Sequence, residues 1–152
     1  MIEIKVCPGN LTSGFDNYSP ACLSQLFDGK KVSPILDFNY DADKDNFSTV
    51  INQISVSGVQ EKLSAIIRDN KIMLTPKGEQ GRYIIKPSPG YKHLRFRNQI
   101  PANEHLTMQI ARQVYKIKTA ENGLIFFADG EMAYITKRFD FSEDGTKIKQ
   151  ED

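Results

Sequence analysis

The chain has 152 residues, enough for one domain with a buried core. Its 20 Lys and Arg against 19 Asp and Glu give a formal net charge of +1, which excludes a chain that is basic overall and with it a dedicated non-specific nucleic-acid binder. Two cysteines, Cys7 and Cys22, form no CxxC pair, which excludes a zinc knuckle and reads as two reduced thiols.

Residues 2–6 alternate apolar and charged, the pattern of a short strand. Ser19-Pro20 offers an N-cap and a proline at the first helical position, and Gly29 closes the short helix they start. From Lys30 to Asn52 the chain is polar and reads as a long connection. Within it Asp41, Asp43 and Asp45 imitate a calcium loop, but Asn46 stands where the loop needs Gly and Asn52 where it needs Glu, so no metal site is expected. Strands follow at Lys62–Arg68, with Leu63, Ala65 and Ile67 on one face, and at Lys71–Thr75 across an Asp69-Asn70 hairpin turn. A third runs over Arg82–Lys86 and ends at Pro87-Ser88-Pro89-Gly90. After a basic loop come a helix from Ala102 to Ile117 and a second hairpin, Leu124–Ala128 and Glu131–Lys137, turning at Asp129-Gly130. The order β-β-β-α-β-β predicts an α+β layer, an antiparallel sheet with one packed helix and a short N-terminal helical extension. No run approaches membrane-spanning length and the N-terminus has no apolar leader core, so a cytoplasmic setting without membrane partners is expected.

Three positions carry candidate chemistry. Ser55, Ser57 and Gly58 sit just before the first strand of the sheet, where small residues can turn backbone N–H groups and hydroxyls toward phosphate. The stretch has neither a Walker A nor a G-x-G-x-x-G spacing, and by itself it reads as a plain turn. Lys86 ends an apolar strand, a place where a lysine commonly snorkels to the edge. The helix carries His105, Gln109, Arg112, Gln113 and Lys116 on a polar side and Leu106, Ile110, Val114 and Ile117 on an apolar arc. Glu104 falls on the apolar arc, where a carboxylate needs a cation or merely complements the helix dipole. A Ser/Gly loop, a strand lysine and a helix glutamate together are the arrangement of a kinase nucleotide site. The arc is wider than packing on one sheet requires, and its spare part, with Met108, Ala111 and Tyr115, points to burial against something else.

The blocks "ISVSGVQEK", "YIIKPSP", "ANEHLTMQIAR" and "ITKRFDF", in this order, resemble the N-terminal lobe of HipA-family serine/threonine kinases, the toxins of bacterial toxin–antitoxin systems. The resemblance runs over residues 51–141, leaving 1–50 as an N-terminal extension and 142–152 as a polar tail toward a second lobe. It implies an ATP-binding lobe in which Ser57, Gly58, Val59, Gln60, Glu61 and Lys62 form the phosphate loop. Lys86 would meet the nucleotide phosphates, Glu104 would orient it, and the backbone of Lys137, Arg138 and Phe139 would read the adenine edge. The family connector usually begins with an acid where this chain has Lys137. Ser55 matches a serine that such kinases autophosphorylate, and the Ser55-Val56-Ser57 pair resembles the shorter HipT type, so Ser55 and Ser57 are both candidate phosphorylation sites. The same resemblance implies a HipB-like antitoxin, a small HipS-like partner and a protein substrate such as an aminoacyl-tRNA synthetase.

The catalytic aspartate and the magnesium ligands of the family lie in a C-terminal lobe, so this chain by itself is expected to be inactive, with Mg bound elsewhere. Asp129-Gly130 and Asp140-Phe141-Ser142 resemble a metal-binding DFG only superficially, since neither holds the triplet. Two other readings compete. One is a non-catalytic interaction module binding a toxin or antitoxin. The other is nucleic-acid contact through Lys92, His93, Arg95 and Arg97 with Tyr91 and Phe96, which the near-neutral charge disfavours.

Overall fold

The structure, a computed structural model, is described for residues 3–40, 61–90, 95–142, 146 and 148. The first element is α1 (Pro20–Phe27), whose N-cap Ser19 accepts the Cys22 N–H at 3.2 Å and whose first turn begins with proline. Left-handed Asp28 and Gly29 end it, and Gly29 N–H reaches the Leu23 carbonyl. Strands β1 (Leu63–Arg68), β2 (Lys71–Leu74), β3 (Tyr83–Pro87), β4 (Asn122–Phe126) and β5 (Met132–Lys137) follow, with α2 (Ile100–Gln113) between β3 and β4. Among the described residues they form one antiparallel sheet in the order β2-β1-β3-β5-β4. Asp69 and Asn70 both take positive φ, the turn that the twist of the β1–β2 hairpin favours.

Register sorts the sheet residues into two faces, because directly opposed residues share one. Leu63, Ile85 and Ile135 stand in line on the first face, and Lys86, Tyr134 and Leu124 on the second. The first face is the apolar one. Against it lie Leu26 and Phe27 of α1 and, further along, Val32, Leu36 and Tyr40, all in one buried cluster. The expected strand at residues 2–6 is reduced to a single bridge, Val6 to Ser13. The expected connection beyond Lys30 is likewise structural as far as Tyr40. Val32, Pro34, Leu36 and Tyr40 are buried, and the alternation at 32, 34 and 36 is masked in the sequence by the proline and by the exposed apolar Ile35.

That N-terminal segment also covers one edge of the sheet. Leu124 N–H donates to the Pro8 carbonyl at 2.8 Å, Phe126 N–H to Pro34 at 2.8 Å, and Ala128 N–H to Phe38 at 3.0 Å. Leu36 N–H returns a bond to the Phe126 carbonyl at 2.8 Å, and Ile35 bridges Phe126 in parallel. Tyr18, buried, donates its hydroxyl to the Leu124 carbonyl at 2.7 Å.

Helix α2 ends sooner than expected. Lys116 adopts φ 57°, and Ile117 N–H then reaches back to the Ala111 carbonyl at 2.9 Å. This is a left-handed terminating turn built on lysine where glycine is usual.

Cys7 and Cys22 are buried free thiols beside α1. The Cys7 thiol donates to Ser19 Oγ at 3.5 Å, and its sulfur accepts the Ser19 N–H at 3.2 Å. Gly9 lies against them so closely that a Cβ there would stand 1.9 Å from Cys22 Sγ. Gly9→Ala should therefore lower stability by roughly 1–3 kcal/mol, the usual range for overpacking. Urea unfolding measures it, and the Gly9→Ala/Cys22→Ala pair should recover part of the loss. An undiminished midpoint in the single variant would contradict this packing.

Candidate functional site

The second face of the sheet is polar where α2 meets it. Lys86 stands on β3 directly opposite Tyr134 of β5, and Asn122 stands opposite Thr136 at the start of β4. Helix α2 answers with Glu104 and His105 in its second turn and Gln109 one turn later.

Lys86 Nζ donates to Glu104 Oε1 at 2.5 Å, with both side chains about a quarter exposed. The same ammonium lies 5.3 Å from the centroid of the Tyr134 ring, within cation–π range. Tyr134 is 2% exposed, and burial together with the Glu104 charge pushes its phenol up to about 12. Lys86 is therefore held on two sides, by a carboxylate from the helix and by a neutral aromatic ring from the neighbouring strand. A lysine so placed is a fixed, partly open cation.

One turn further along, Asn122 Oδ1 accepts from Gln109 Nε2 at 3.2 Å and lies 2.9 Å from His105 Nδ1. The Asn122 amide itself donates to the Ala120 carbonyl. Oδ1 can only accept, so the His105 proton sits on Nδ1. Its Nε2 is buried without a hydrogen-bond partner. Gln113 Nε2 extends the chain by donating to Gln109 Oε1 and to the Asn10 carbonyl. At the far end Arg112 pairs with Glu121 at 2.8 Å and with the Thr119 hydroxyl at 3.0 Å. Helix α2 is thus seated by its polar residues, and its buried positions are Pro101, His105 and Gln109. Leu106 and Ile110 of the apolar arc are exposed.

Of the candidate residues, the structure unites Lys86 and Glu104. Ser55, Ser57, Gly58, Val59 and Gln60 lie outside the described residues. Glu61 and Lys62 lead half-buried into β1, and burial raises the Glu61 carboxyl above its ordinary range. Lys137 is paired with Tyr83, so it belongs to the opposite face from Lys86, and its ammonium meets Asp28, the C-cap of α1, at 2.5 Å. Arg138 forks onto Asp140 at 2.8 and 2.5 Å and covers the Phe141 ring, which Arg82 shares. Phe139 is 77% exposed. Tyr134 and Asn122 were not legible as site residues. Both acquire their roles from strand register, which no local spacing announces.

Among the described residues, no cluster of three or more His, Cys, Asp or Glu side chains could hold a metal ion, and no helix is long and apolar enough to cross a membrane. The sequence model of the HipA-like C-terminal domain matches residues 54–152. The chain is also similar to a Haemophilus influenzae protein named "Putative kinase", at 34% identity over 157 aligned residues. That alignment takes in 98% of this chain and 42% of the relative, so the chain spans less than half the relative's length.

Burial holds the His105 pKa below its ordinary value of 6.5, against the opposing hydrogen bond to Asn122. A depressed histidine pKa makes the unfolded chain the better proton acceptor, so this contribution to stability is complete above about pH 6.5. It is lost as pH falls toward the folded pKa, at up to about 1.4 kcal/mol per pH unit. Urea unfolding between pH 7.5 and 5 should show that decline, and His105→Asn should flatten it. An equal slope in the variant would place the proton elsewhere.

Proposed function

This chain belongs to the HipA family of kinase-like proteins, and from that premise we propose that it is the ATP-binding lobe of a serine/threonine protein kinase. The carrying observation is the Lys86–Glu104 pair, which spans β3 and α2 at 2.5 Å and keeps a lysine extended over the second face of the sheet. In kinases that pair aligns a lysine on the nucleotide phosphates. Tyr134 supplies a second wall that holds the ammonium without neutralising it.

On this reading ATP brings the transferable phosphoryl group, Lys86 meets its phosphates, and Ser57 through Lys62 supply loop N–H groups from the start of β1. The stretch Lys137–Phe139 offers backbone to the adenine edge. The Lys137 side chain takes no part, because it is engaged with Asp28 on the other face. Magnesium ligands and the residue that orients the nucleophile belong to the remaining length that the relative has and this chain does not span. The role of toxin in a toxin–antitoxin pair, a HipB-like antitoxin, a HipS-like partner and an aminoacyl-tRNA synthetase substrate are parts of the same proposal. Ser55 and Ser57 are its regulatory positions, since a phosphate there adds nearly two negative charges beside those of ATP.

Titration of a non-hydrolysable ATP analogue into the full-length polypeptide tests the reading. Lys86→Ala should weaken binding at least tenfold, about 1.4 kcal/mol. Ser55→Glu with Ser57→Glu should weaken it in the same direction. Unchanged affinity in Lys86→Ala would overturn the assignment of the site.

A further inference from the structure

The fold brings the two cysteines of the chain to one place, away from the Lys86 site. Ser19 stands between them. Its N–H donates to the Cys7 sulfur at 3.2 Å, and its hydroxyl accepts the Cys22 N–H at 3.2 Å in the first turn of α1. Gly9 closes the other side, where any side chain would run into the Cys22 sulfur. When Cys7 gives up its proton, the Cys22 thiol and then the Ser19 N–H stabilise the thiolate, so Cys7 titrates well below an ordinary thiol despite its burial. The same contact, together with burial, pushes Cys22 up. One sulfur is thus readied as a nucleophile, with a protonated second thiol inside hydrogen-bonding reach.

Two buried thiols can serve merely as small apolar side chains. A neighbouring pair of unequal acidity holds more, because disulfide formation needs one thiol to attack an oxidant and another to resolve the product. The pair is also shallow. Val6 before Cys7, Leu11 and Thr12 after it, and Pro20 and Ala21 beside Cys22 are all exposed.

We infer that Cys7 and Cys22 form an oxidative modification site, at which a peroxide converts the two thiols into a disulfide that clamps the N-terminal segment onto α1. The Cys7 thiolate attacks one peroxide oxygen, the O–O bond breaks and hydroxide leaves, so that Cys7 becomes a sulfenic acid. The Cys22 sulfur then attacks the Cys7 sulfur, the S–O bond breaks, and the hydroxyl departs as water with the Cys22 proton. The hydroxide from the first step takes up the proton that Cys7 gave to solvent. Both sulfurs are oxidised, and the peroxide is reduced to two waters. The loop closed by this bond contains Pro8 and Asn10, whose carbonyls accept the Leu124 N–H of β4 at 2.8 Å and Gln113 Nε2 of α2 at 3.0 Å. A cross-link there fastens the covered sheet edge, α1 and the end of α2 together. Closing a loop of about fifteen residues stabilises the fold by restricting the unfolded chain.

The inference is independent of nucleotide binding, and its test reads the thiols directly. Reduced full-length protein is treated with hydrogen peroxide under native conditions, blocked with N-ethylmaleimide, digested and mapped. The expected product is a peptide pair joined through Cys7 and Cys22 of one chain and released by dithiothreitol. The oxidised protein should melt at least about 3 °C higher than the reduced one. Amide exchange in the peptide containing Leu124 should slow at least about threefold. Cys22→Ser should abolish both the linked peptide and the rise in melting temperature. A bond that forms only in urea, linkage between chains or to another cysteine in its place, or no oxidation of either thiol would overturn the proposal. So would a linked form that melts no higher than the reduced one, or a rise in melting that persists in Cys22→Ser.

Discussion

A buried polar group left without a partner costs more than a burial of hydrocarbon returns, and that constraint decides how α2 sits. The face of the sheet beneath it holds Lys86 and Asn122, neither of which an apolar helix face could satisfy. Glu104, His105 and Gln109 satisfy both. Once those bonds are made, the rotation of the helix about its axis is settled. Leu106 and Ile110 are left outside as a consequence of the polar match, despite the burial their side chains forgo. Tyr134 completes the arrangement by filling the space under Lys86 with a ring that bears no charge.

The two faces of the sheet hold their coverings by different physics. On the first, aromatic and branched side chains interlock. Phe27 meets Tyr18 and Tyr83 at ring distances of 4.8 and 5.8 Å, and Tyr40 meets Phe127 at 5.2 Å. On the second, hydrogen bonds and ion pairs with defined directions fix the helix. Apolar packing tolerates small shifts, whereas a fork of donors and acceptors has one good geometry. The residue proposed to touch nucleotide sits on the face held by direction, and the bulk of the hydrophobic core sits on the other.

Much of this was legible in the sequence. Strand positions, both hairpin turns and the α1 cap were readable because each has a local cause: period-two alternation, Asp-Asn and Asp-Gly turns, and Ser-Pro at a helix start. The Lys86–Glu104 meeting was legible because two charged residues stood in apolar company with a strand and a helix to bring them together. The seating of α2 was not. Helical periodicity shows that a helix has two faces, but which one turns inward depends on what the sheet offers, and Asn122 becomes a demand only after β4 and β5 are in register. The structural role of residues 32–40 was hidden for a similar reason. Val32, Pro34 and Leu36 are buried in alternation, but the proline and the exposed apolar Ile35 among them hide that period in the sequence, and their partner is an edge formed some ninety residues later.

That edge has a consequence for what counts as one unit. The family match begins at residue 54, yet the donors at Leu124 and Phe126 of β4 and at Ala128 beyond it are met by carbonyls at Pro8, Pro34 and Phe38. The region that the family model matches and the folding unit therefore have different boundaries. A polypeptide trimmed to residue 54 would present three unmet donors in a row, a template for any passing extended chain. The upstream segment is the sheet's own strand donor, occupying that template before another molecule can.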